Sequence, residues 1–420
     1  MLKRINVTQL LIGMHIKEFC GSWMEHPFWR SGFVLTDPKD IEAILASSIK
    51  EVWIDVAQGL DVAPDAPSVS EDEAKNQIDA ELEKAIMAAQ PQPVEMVRET
   101  MLVSAAEEIE RASRICQASK AAVVSMFEEV RMGNAVDTGG AKKLVEEISD
   151  SISRNPGAII SLARLKTADD YTYMHSVAVC AMMVALARQL GLDEEKTRSS
   201  GMAGLLHDIG KVAMPTEVLN KPGKLTEAEF AIMRTHPVEG FKILKASANV
   251  DTAALNVVLH HHEKIDGSGY PRALKGDQIS LFAKMGAVCD VYDAITSNRP
   301  YKSGWDPAES LRKMAEWTNG HFDPLVFQAF VKSMGIYPVG SLVRLTSGRI
   351  GVVTEQTKKT LTTPVVKVFY STKSGMRIVP AILDLSRPES LEKIQCREDP
   401  AKWNFPDLDE LWSGLSQCKA

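Results

Sequence analysis

Residues 201–211 read Gly-Met-Ala-Gly-Leu-Leu-His-Asp-Ile-Gly-Lys, so a helix-forming apolar stretch leads directly into a His-Asp pair. Adjacent residues on a helix point about 100° apart. His207 and Asp208 can therefore reach one metal ion only from the edge of a helix, or they can serve two ions that lie side by side. A carboxylate suits the second arrangement, because each of its two oxygens can bind one cation. The pair alone is weak evidence, and the histidines around it decide the interpretation.

Metal-binding residue types recur on both sides of this pair. Seven of the nine histidines lie between His175 and His321. Imidazole and carboxylate are typical ligands of borderline divalent metals. Asp290 lies in an otherwise apolar segment, and a buried carboxylate needs a counter-charge. Each residue alone is better explained by a structural hydrogen bond, but together they predict a metal site that contains His175, His207, Asp208, His236, His261, His262 and Asp290.

The length, charge and cysteine usage of the chain limit its class. A chain of 420 residues is expected to form two or three domains. Its formal net charge of −7 argues against a general nucleic-acid-binding surface, but it allows one small anionic ligand at a locally positive site. The six cysteines lack CxxC spacing, which is typical of reduced thiols in a cytosolic protein. No signal peptide is evident, and the longest apolar run, 177–187, is too short to span a bilayer. A cytoplasmic protein is expected.

The first 140 residues are predicted to form a regulatory N-terminal domain. Short apolar segments between turn signals such as Asp37-Pro38 indicate strands over residues 1–62. A linker rich in proline and serine follows, and a helix is predicted over about 72–89. One segment is crowded with aromatic residues, which we interpret as core residues, with a ligand or partner groove as the alternative: Trp23, Phe28, Trp29 and Phe33.

A long helix is predicted over about 98–132. Its apolar residues recur every seven positions, which is the spacing of a coiled-coil seam: Leu102, Ile109, Cys116, Val123 and Val130. The same spacing also fits a long amphipathic helix that packs on its own chain. Both interpretations stay open, and the first includes a homodimer through helix 98–132.

The predicted fold class is mainly α. Residues 141–336 are predicted to form an almost entirely helical core, in which Thr226 and Glu229 make a capping box ahead of His236. After Pro338 the apolar residues alternate, which favours a small antiparallel β unit that ends near residue 385. An irregular tail completes the segment 337–420, and a small strand-rich domain with a helical connector precedes the core.

A series of short motifs resembles the HD-GYP family. The series runs His-Asp-Ile-Gly-Lys, Lys-Pro-Gly, His-Pro, His-His-Glu, Asp-Gly-Ser-Gly-Tyr-Pro, Asp-Val-Tyr-Asp-Ala and Arg-Pro-Tyr-Lys, at residues 207–211, 221–223, 236–237, 261–263, 266–271, 290–294 and 299–302. The resemblance covers about residues 165–330. It implies an all-helical HD-type core and a bacterial phosphodiesterase that cleaves cyclic di-GMP with bound metals. The first 140 residues resemble an uncharacterised domain that often precedes this core, and the β unit resembles a tail found on many members.

The resemblance implies that the seven residues of the predicted metal site are the ligands and that Asp208 bridges two ions. Some family members hold a third metal through a glutamate four residues before the first histidine. Tyr171 occupies that position here and cannot replace a carboxylate. Two divalent metal ions are therefore expected. Mixed imidazole and carboxylate ligation suits iron or manganese, with zinc or nickel as alternatives in a purified sample.

The resemblance also assigns roles around the metals. Lys211 would contact a phosphate oxygen or the solvent between the metals. Arg299 and Lys302, three residues apart, would bind the second phosphate of the cyclic dinucleotide, with a solvated basic turn as the alternative. Tyr270, which Pro271 follows, would stack on a guanine or face a partner protein.

These observations predict a metal-dependent phosphodiesterase that hydrolyses cyclic di-GMP to linear pGpG, or onward to GMP. Hydrolysis of another cyclic dinucleotide is one alternative, because the HD core serves several phosphate substrates. A second alternative is a signalling adaptor whose Gly-Tyr-Pro loop docks onto GGDEF-domain diguanylate cyclases. Replacement of Asp208 by alanine separates hydrolysis from an adaptor role.

Overall fold

The computed structural model of the chain describes residues 1–20, 32–47, 49–63, 66–71, 73–74, 77–78, 80, 103–165, 171–221, 223, 225–297, 304–318, 320–357 and 360–415. The chain divides into two compact units. The first lies within Met1–Gln90 and Arg312–His321, and the second lies within Pro91–Leu311 and Phe322–Ala420.

The N-terminal unit contains a five-stranded sheet. Its strands have the order β3-β2-β4-β1-β5, and all neighbouring strands are antiparallel. Apolar residues from alternating positions of β1, β2 and β4 form its core, including Ile5, Ile16 and Val52. The strands are β1 (Leu2–Asn6), β2 (His15–Cys20), β3 (Phe33–Val34), β4 (Glu51–Asp55) and β5 (Val69–Ser70).

A nine-residue helix, α1 (Pro38–Ala46), lies between β3 and β4. We interpreted Asp37-Pro38 as a turn, and this was wrong in one respect, because the pair starts a helix. The side chain of Asp37 accepts a hydrogen bond from the backbone N–H of Lys39, and the fixed φ of proline suits the first helical position. Ile44 of this helix is completely buried in the core of the sheet.

Several predictions for the N-terminal region lie outside the described residues. Trp23, Phe28 and Trp29 are among them, whereas Phe33 packs against the core of the sheet. Of the helix predicted over 72–89, the described residues 73, 74, 77, 78 and 80 are helical, and the others lie outside the described part.

The heptad pattern lies on helix α2 (Ala105–Arg131). Its described heptad residues, Ile109, Cys116, Val123 and Val130, are all buried. The helix packs against three helices of the same unit. The repeated apolar face is therefore used within the chain. The three partners are α3 (Thr138–Arg154), α4 (Pro156–Arg164) and α5 (Tyr171–Gln189).

The second unit is built around α5, in which residues 174–187 are all buried. This helix packs against α6 and α11, while α10 packs against both of these and against α9. The capping box predicted at Thr226 and Glu229 is confirmed at the start of α8. Among the described residues, no helix is long and apolar enough to cross a membrane. The remaining helices of the chain are α6 (Glu194–Leu206), α7 (Thr216–Leu219), α8 (Glu227–Met233), α9 (His236–Ala246), α10 (Thr252–His260), α11 (Leu281–Thr296), α12 (Pro307–Trp317) and α13 (Pro324–Met334). Residues of α12 from Arg312 onward belong to the first unit.

A glycine contact joins two segments that carry candidate ligands. A Cβ atom on Gly210 would lie 1.9 Å from the carbonyl oxygen of His236 and 2.4 Å from the amide nitrogen of Gly240. Both distances are far inside van der Waals contact, so only glycine allows this approach. The short 3₁₀ helix Ile209–Ala213 can therefore lie directly against the first turn of α9. Asp208 and His236 become neighbours as a result.

The C-terminal segment forms a second five-stranded antiparallel sheet with the order β10-β6-β7-β8-β9. Val343, Val353, Val366 and Val368 supply its apolar core. The segment after residue 385, predicted as irregular, contains strand β10 and two short helices. The elements of the C-terminal segment are β6 (Leu342–Leu345), β7 (Arg349–Glu355), β8 (Val365–Ser371), β9 (Met376–Asp384), β10 (Ile394–Arg397), α14 (Pro400–Trp403) and α15 (Leu408–Ser413).

The mainly α fold class predicted from the sequence is confirmed.

Candidate metal centre

The His-Asp pair lies where one helix ends and another begins. His207 keeps α-helical backbone angles (φ −53°, ψ −35°) at the end of α6. Asp208 departs from them (φ −100°, ψ 9°) and precedes the 3₁₀ helix Ile209–Ala213. The chain changes direction between the two residues. With this change of direction, both side chains point to one centre.

The predicted metal-binding residues form two groups of donor atoms. The first group is His175, His207 and Asp208, and the second is His236, His261 and His262. Within each group the donor atoms lie within 4.8 Å of one another. All six residues are buried except His262, which is slightly exposed. Each group has the size and the donor chemistry to hold a metal ion.

Asp208 lies between the two groups. Its Oδ2 lies 3.5 Å from Nε2 of His175 and 3.4 Å from Nε2 of His207. Its Oδ1 lies 3.3 Å from Nε2 of His236 and 3.9 Å from Nε2 of His261. Each carboxylate oxygen therefore faces one group, which is the arrangement that a bridging ligand requires.

Asp290, on α11, faces both groups in the same way. Its Oδ1 lies 3.0 Å from Nε2 of His175 and 3.8 Å from Nε2 of His207. Its Oδ2 lies 3.7 Å from Nδ1 of His262. The sequence suggested a bridging role for Asp208 alone. The geometry gives the centre two carboxylates that span both groups.

The hydrogen bonds of the imidazoles show why this cluster suits cations. Nδ1 of His207 donates to the carbonyl oxygen of Gly204 at 2.8 Å, and Nδ1 of His236 donates to that of Met233 at 2.8 Å. A neutral imidazole that donates through Nδ1 carries a lone pair on Nε2. The Nε2 atoms of His207 and His175 are only 3.2 Å apart. Two lone pairs at this distance repel each other unless a positive charge lies near both.

The second group repeats this arrangement. Nδ1 of His261 lies 3.0 Å from the carbonyl oxygen of Val257, and its Nε2 lies 3.3 Å from Nε2 of His236. Backbone carbonyls thus orient both rings with Nε2 toward the centre. The donor set of the described residues fits divalent metals in both groups.

The pKa shifts keep most of the cluster in its metal-binding form. Burial opposes ionisation of Asp208, but Lys211 and His207 hold its pKa well below the ordinary value. Burial and the neighbouring imidazoles lower the pKa of His261 to about 3, and burial together with His261 lowers the pKa of His262. An ionised carboxylate and neutral imidazoles are the forms that bind metals.

His207 shows the opposite shift. Burial alone would lower the pKa of this imidazole, but the carboxylates of Asp208 and Asp290 raise it above the ordinary value. The two acidic groups therefore attract positive charge to this position. A bound cation satisfies the same attraction.

Two acidic residues outside the predicted ligand set shape the centre. Asp293 Oδ2 lies 2.6 Å from Nδ1 of His175, so this carboxylate orients the ring. Its signal was present in the sequence, because Asp293 follows Asp290 by three residues and lies near it on one helix face. Glu263 accepts backbone hydrogen bonds from Arg272 at 2.7 Å and Leu274 at 2.9 Å, so it holds the Gly-Tyr-Pro loop.

Tyr270 lies against the centre, but both neighbours of its ring belong to this chain. The ring stacks on His262, with the centroids 4.8 Å apart and an interplanar angle of 30°. The guanidinium of Arg234 lies 4.6 Å above the Tyr270 ring. The tyrosine is buried, with 8% of its surface exposed. Among the described residues, His262 and Arg234 both contact this ring, and its role toward a guanine or a partner protein stays a prediction. Pro271 follows it in the loop that Glu263 holds.

The remaining predicted residues divide into two sets. Lys211 lies beside the centre, because its ammonium donates to Oδ2 of Asp208. Arg299 and Lys302 lie outside the described residues. His260 is buried next to the cluster but belongs to neither donor group, and burial lowers its pKa.

Comparison with known families divides the chain into two parts. Residues 2–141 match a domain of unknown function, DUF3391. Residues 147–326 match the HD domain. The second match includes all seven predicted ligands.

Several curated proteins are similar to this chain. Over 99% of this chain and 97% of its own length, a cyclic di-GMP phosphodiesterase of Pseudomonas aeruginosa is 54% identical. A cyclic di-GMP phosphodiesterase response regulator of Xanthomonas campestris pv. campestris is 42% identical over 41% of this chain and 47% of its own. A 3'3'-cGAMP-specific phosphodiesterase of Vibrio cholerae is 36% identical over 40% of this chain and 36% of its own.

Proposed function

The chain belongs to the HD-GYP family, and from this premise we propose that it is a metal-dependent phosphodiesterase that hydrolyses cyclic di-GMP to linear pGpG, or onward to GMP. One observation carries the proposal. The carboxylates of Asp208 and Asp290 each turn one oxygen toward each of two histidine groups. A two-metal centre needs bridging ligands of this kind.

The residues that would hold the metals follow from the two groups. His175 and His207 would serve one ion, His236, His261 and His262 would serve the other, and Asp208 and Asp290 would serve both. We propose two ions because Tyr171 occupies the position of the glutamate that holds a third metal in some family members. Imidazole and carboxylate together suit iron or manganese. When bound, such ions lower the pKa of a coordinated water and neutralise charge on a phosphodiester.

Residues of the chain itself would hold the substrate and the ligands in position. The Lys211 side chain is 22% exposed, so its ammonium can reach a phosphate oxygen from the same position in which it contacts Asp208. Asp293 keeps Nε2 of His175 directed inward. Arg299 and Lys302 are proposed to bind the second phosphate, since a guanidinium and an ammonium both bind phosphate oxygens. These cations would attract an anionic substrate to a chain whose net charge is −7.

The proposal is tested on anaerobically purified, full-length protein. Elemental analysis measures the metal content, and chromatography follows the products from cyclic di-GMP, 3'3'-cGAMP and cyclic di-AMP in parallel. We expect about two equivalents of metal and the fastest turnover with cyclic di-GMP, with pGpG appearing before GMP. Protein stripped with a chelator is the control. Fully metallated protein that leaves cyclic di-GMP intact would refute the proposal.

A different cyclic dinucleotide is the second candidate substrate. It is favoured by the similarity to a 3'3'-cGAMP-specific phosphodiesterase. Faster turnover of 3'3'-cGAMP than of cyclic di-GMP in the same assay would support it. The two outcomes differ only in the base that the protein selects.

Partner binding is a further part of the proposal. As an alternative to hydrolysis alone, we propose that the Gly-Tyr-Pro loop docks onto GGDEF-domain diguanylate cyclases. We also propose that residues 1–140 form a regulatory domain and that the protein is cytoplasmic. Replacing Asp208 with alanine discriminates hydrolysis from docking, because docking alone would leave the cellular output in place. Light scattering tests a homodimer through helix 98–132.

A further inference from the structure

Arg234 lies at the outer end of a stack that begins at the metal centre. The ring of His262 stacks on Tyr270, and the guanidinium of Arg234 lies over the ring of Tyr270. The successive separations are 4.8 Å and 4.6 Å. Arg234 is exposed to solvent. It is therefore two contacts away from a candidate metal ligand and accessible to a bound substrate.

The backbone fixes the position of this arginine. Arg234 ends α8, and its backbone N–H donates to the carbonyl oxygen of Phe230 at 2.9 Å. Two residues later, His236 starts α9 and turns its ring into the centre. The guanidinium also lies 6.0 Å from the ring of Phe230. The same short connection thus positions a candidate ligand and a cation bordered by two aromatic rings.

The charge of Arg234 has no acidic partner in the described part of the chain. No carboxylate of the described residues forms an ion pair with it. Nearby cations differ in this respect. Lys221 pairs with Glu229, and Lys242 pairs with Glu239. The N–H groups of Arg234 are consequently free to bind an acceptor outside the chain.

We propose that Arg234 is a specificity-determining residue that binds the O6/N7 edge of one guanine of the substrate, an inference that rests on the proposed function. The planar fork of an arginine donates two parallel hydrogen bonds to these two acceptors. Adenine has an amino group in place of O6 and cannot accept the second bond. The aromatic rings next to Arg234 fix the guanidinium before the substrate arrives.

The position of Arg234 favours the base over the phosphates. Lys211 contacts Asp208 at the centre itself, where a scissile phosphate must lie, and Arg299 and Lys302 are proposed for the other phosphate. Arg234 is exposed and contacts the buried ring of Tyr270, and no described donor group of the centre includes it. The base is the part of a nucleotide farthest from its phosphate. The sequence left Tyr270 two roles, stacking on a guanine or facing a partner protein, and Arg234 is the exposed cation next to that ring.

The experiment measures base selectivity in full-length metallated protein. Cyclic di-GMP and cyclic di-AMP are tested as competitive inhibitors of bis(p-nitrophenyl) phosphate hydrolysis, and the ratio of their inhibition constants is determined for each variant. We expect Arg234→Met to reduce the preference for cyclic di-GMP by about 10- to 100-fold, the value of a good bidentate contact with guanine. Arg234→Lys should lose most of the preference as well, because an ammonium cannot form the paired contact.

Arg198→Met is the matched control, because Arg198 is also an exposed arginine but lies on α6, near Glu194. It should keep the wild-type ratio. Equal weakening of both inhibitors by Arg234→Met would assign the arginine to a phosphate and overturn base recognition, and an unchanged ratio would also overturn it. If the wild-type enzyme hydrolyses cyclic di-GMP and only this test fails, the proposed function stands. If the wild type neither binds nor cleaves cyclic di-GMP, both fail.

Discussion

Two buried charged clusters lie in the helical part of the chain, and only one of them supplies its own counter-charges. Glu108 is completely buried on α2, yet Arg154 donates to both of its oxygens at 2.8 Å and Ser151 donates at 2.9 Å. In the centre around Asp208 and Asp290, by contrast, lone pairs of several imidazoles and of two carboxylates point toward one another. Lys211 alone supplies a permanent cation there among the described residues.

The difference separates a structural cluster from a functional one. Buried polar groups that satisfy one another contribute to folding and need nothing from outside. Buried acceptors that converge without enough donors are costly, and such a cluster is expected only where a bound cation compensates.

The largest effect is expected from removing the bridge. Asp208→Asn should lower the rate of cyclic di-GMP hydrolysis by at least about 10³-fold, as expected when residues act as a unit. The amide is neutral, and its NH2 group replaces one of the two oxygens that face the histidine groups. Elemental analysis should show less bound metal. Asp277→Asn is the control, since Asp277 is a fully exposed aspartate. If Asp208→Asn kept full activity and full metal content, the centre around Asp208 would not depend on a bound cation, and this prediction would be wrong.

Breaking the structural cluster should affect stability without affecting chemistry. Glu108→Gln should lower the free energy of unfolding by about 2–3 kcal/mol, because Arg154 loses its buried partner. The cost stays below that of a fully buried pair, since Arg154 is 26% exposed. Urea unfolding of metal-free protein measures it, with Glu146→Gln on the exposed face of α3 as the control. A loss of bound metal in folded Glu108→Gln would contradict the separation.

Loss of the Asp293 contact that orients His175 should weaken the binding of one metal ion more than that of the other. Asp293→Asn should weaken metal binding by about 10- to 100-fold, the usual effect of removing a carboxylate behind a histidine ligand. A metal titration should show this loss in one class of sites only, because backbone carbonyls orient the other group. Ser297→Ala removes one hydroxyl 3.2 Å from Asp293 and should have a smaller effect. If Asp293→Asn weakened metal binding equally in both classes of sites, the two histidine groups would not bind metal independently.

The smallest effect is a pH dependence of the structural cluster. Burial opposes ionisation of Glu108, but Arg154 and Ser151 hold its pKa below the ordinary value of 4.5. A depressed carboxyl pKa stabilises the fold above the unfolded-state pKa, and this stabilisation disappears as the pH falls through the folded-state value. The difference in unfolding free energy between wild type and Glu108→Gln should therefore shrink below pH 4.5, measured with chelator present. A difference that is constant down to low pH would contradict it.

Much of the centre was predictable because its chemistry depends on residue type. Histidine and aspartate at His175, Asp208 and Asp290 are conspicuous in apolar helical sequence, and the structure brings them together with the other four predicted ligands. Asp293 was less visible, because its role depends on which nitrogen of His175 it meets. Glu263 was read as part of a motif next to the ligands, whereas its partners are two backbone amides of the following loop.

The sequence by itself determined the helical class, the family and the set of residues able to bind metal, because helix periodicity and ligand chemistry are local properties of residue type and spacing. Only the tertiary structure decided that Asp290 spans both histidine groups, that the heptad face of α2 is used within the chain, and that Arg234 covers the ring of Tyr270. These features depend on contacts between segments far apart in sequence. The close approach at Gly210 is one such contact, and it exists only because the backbone folds those segments against each other.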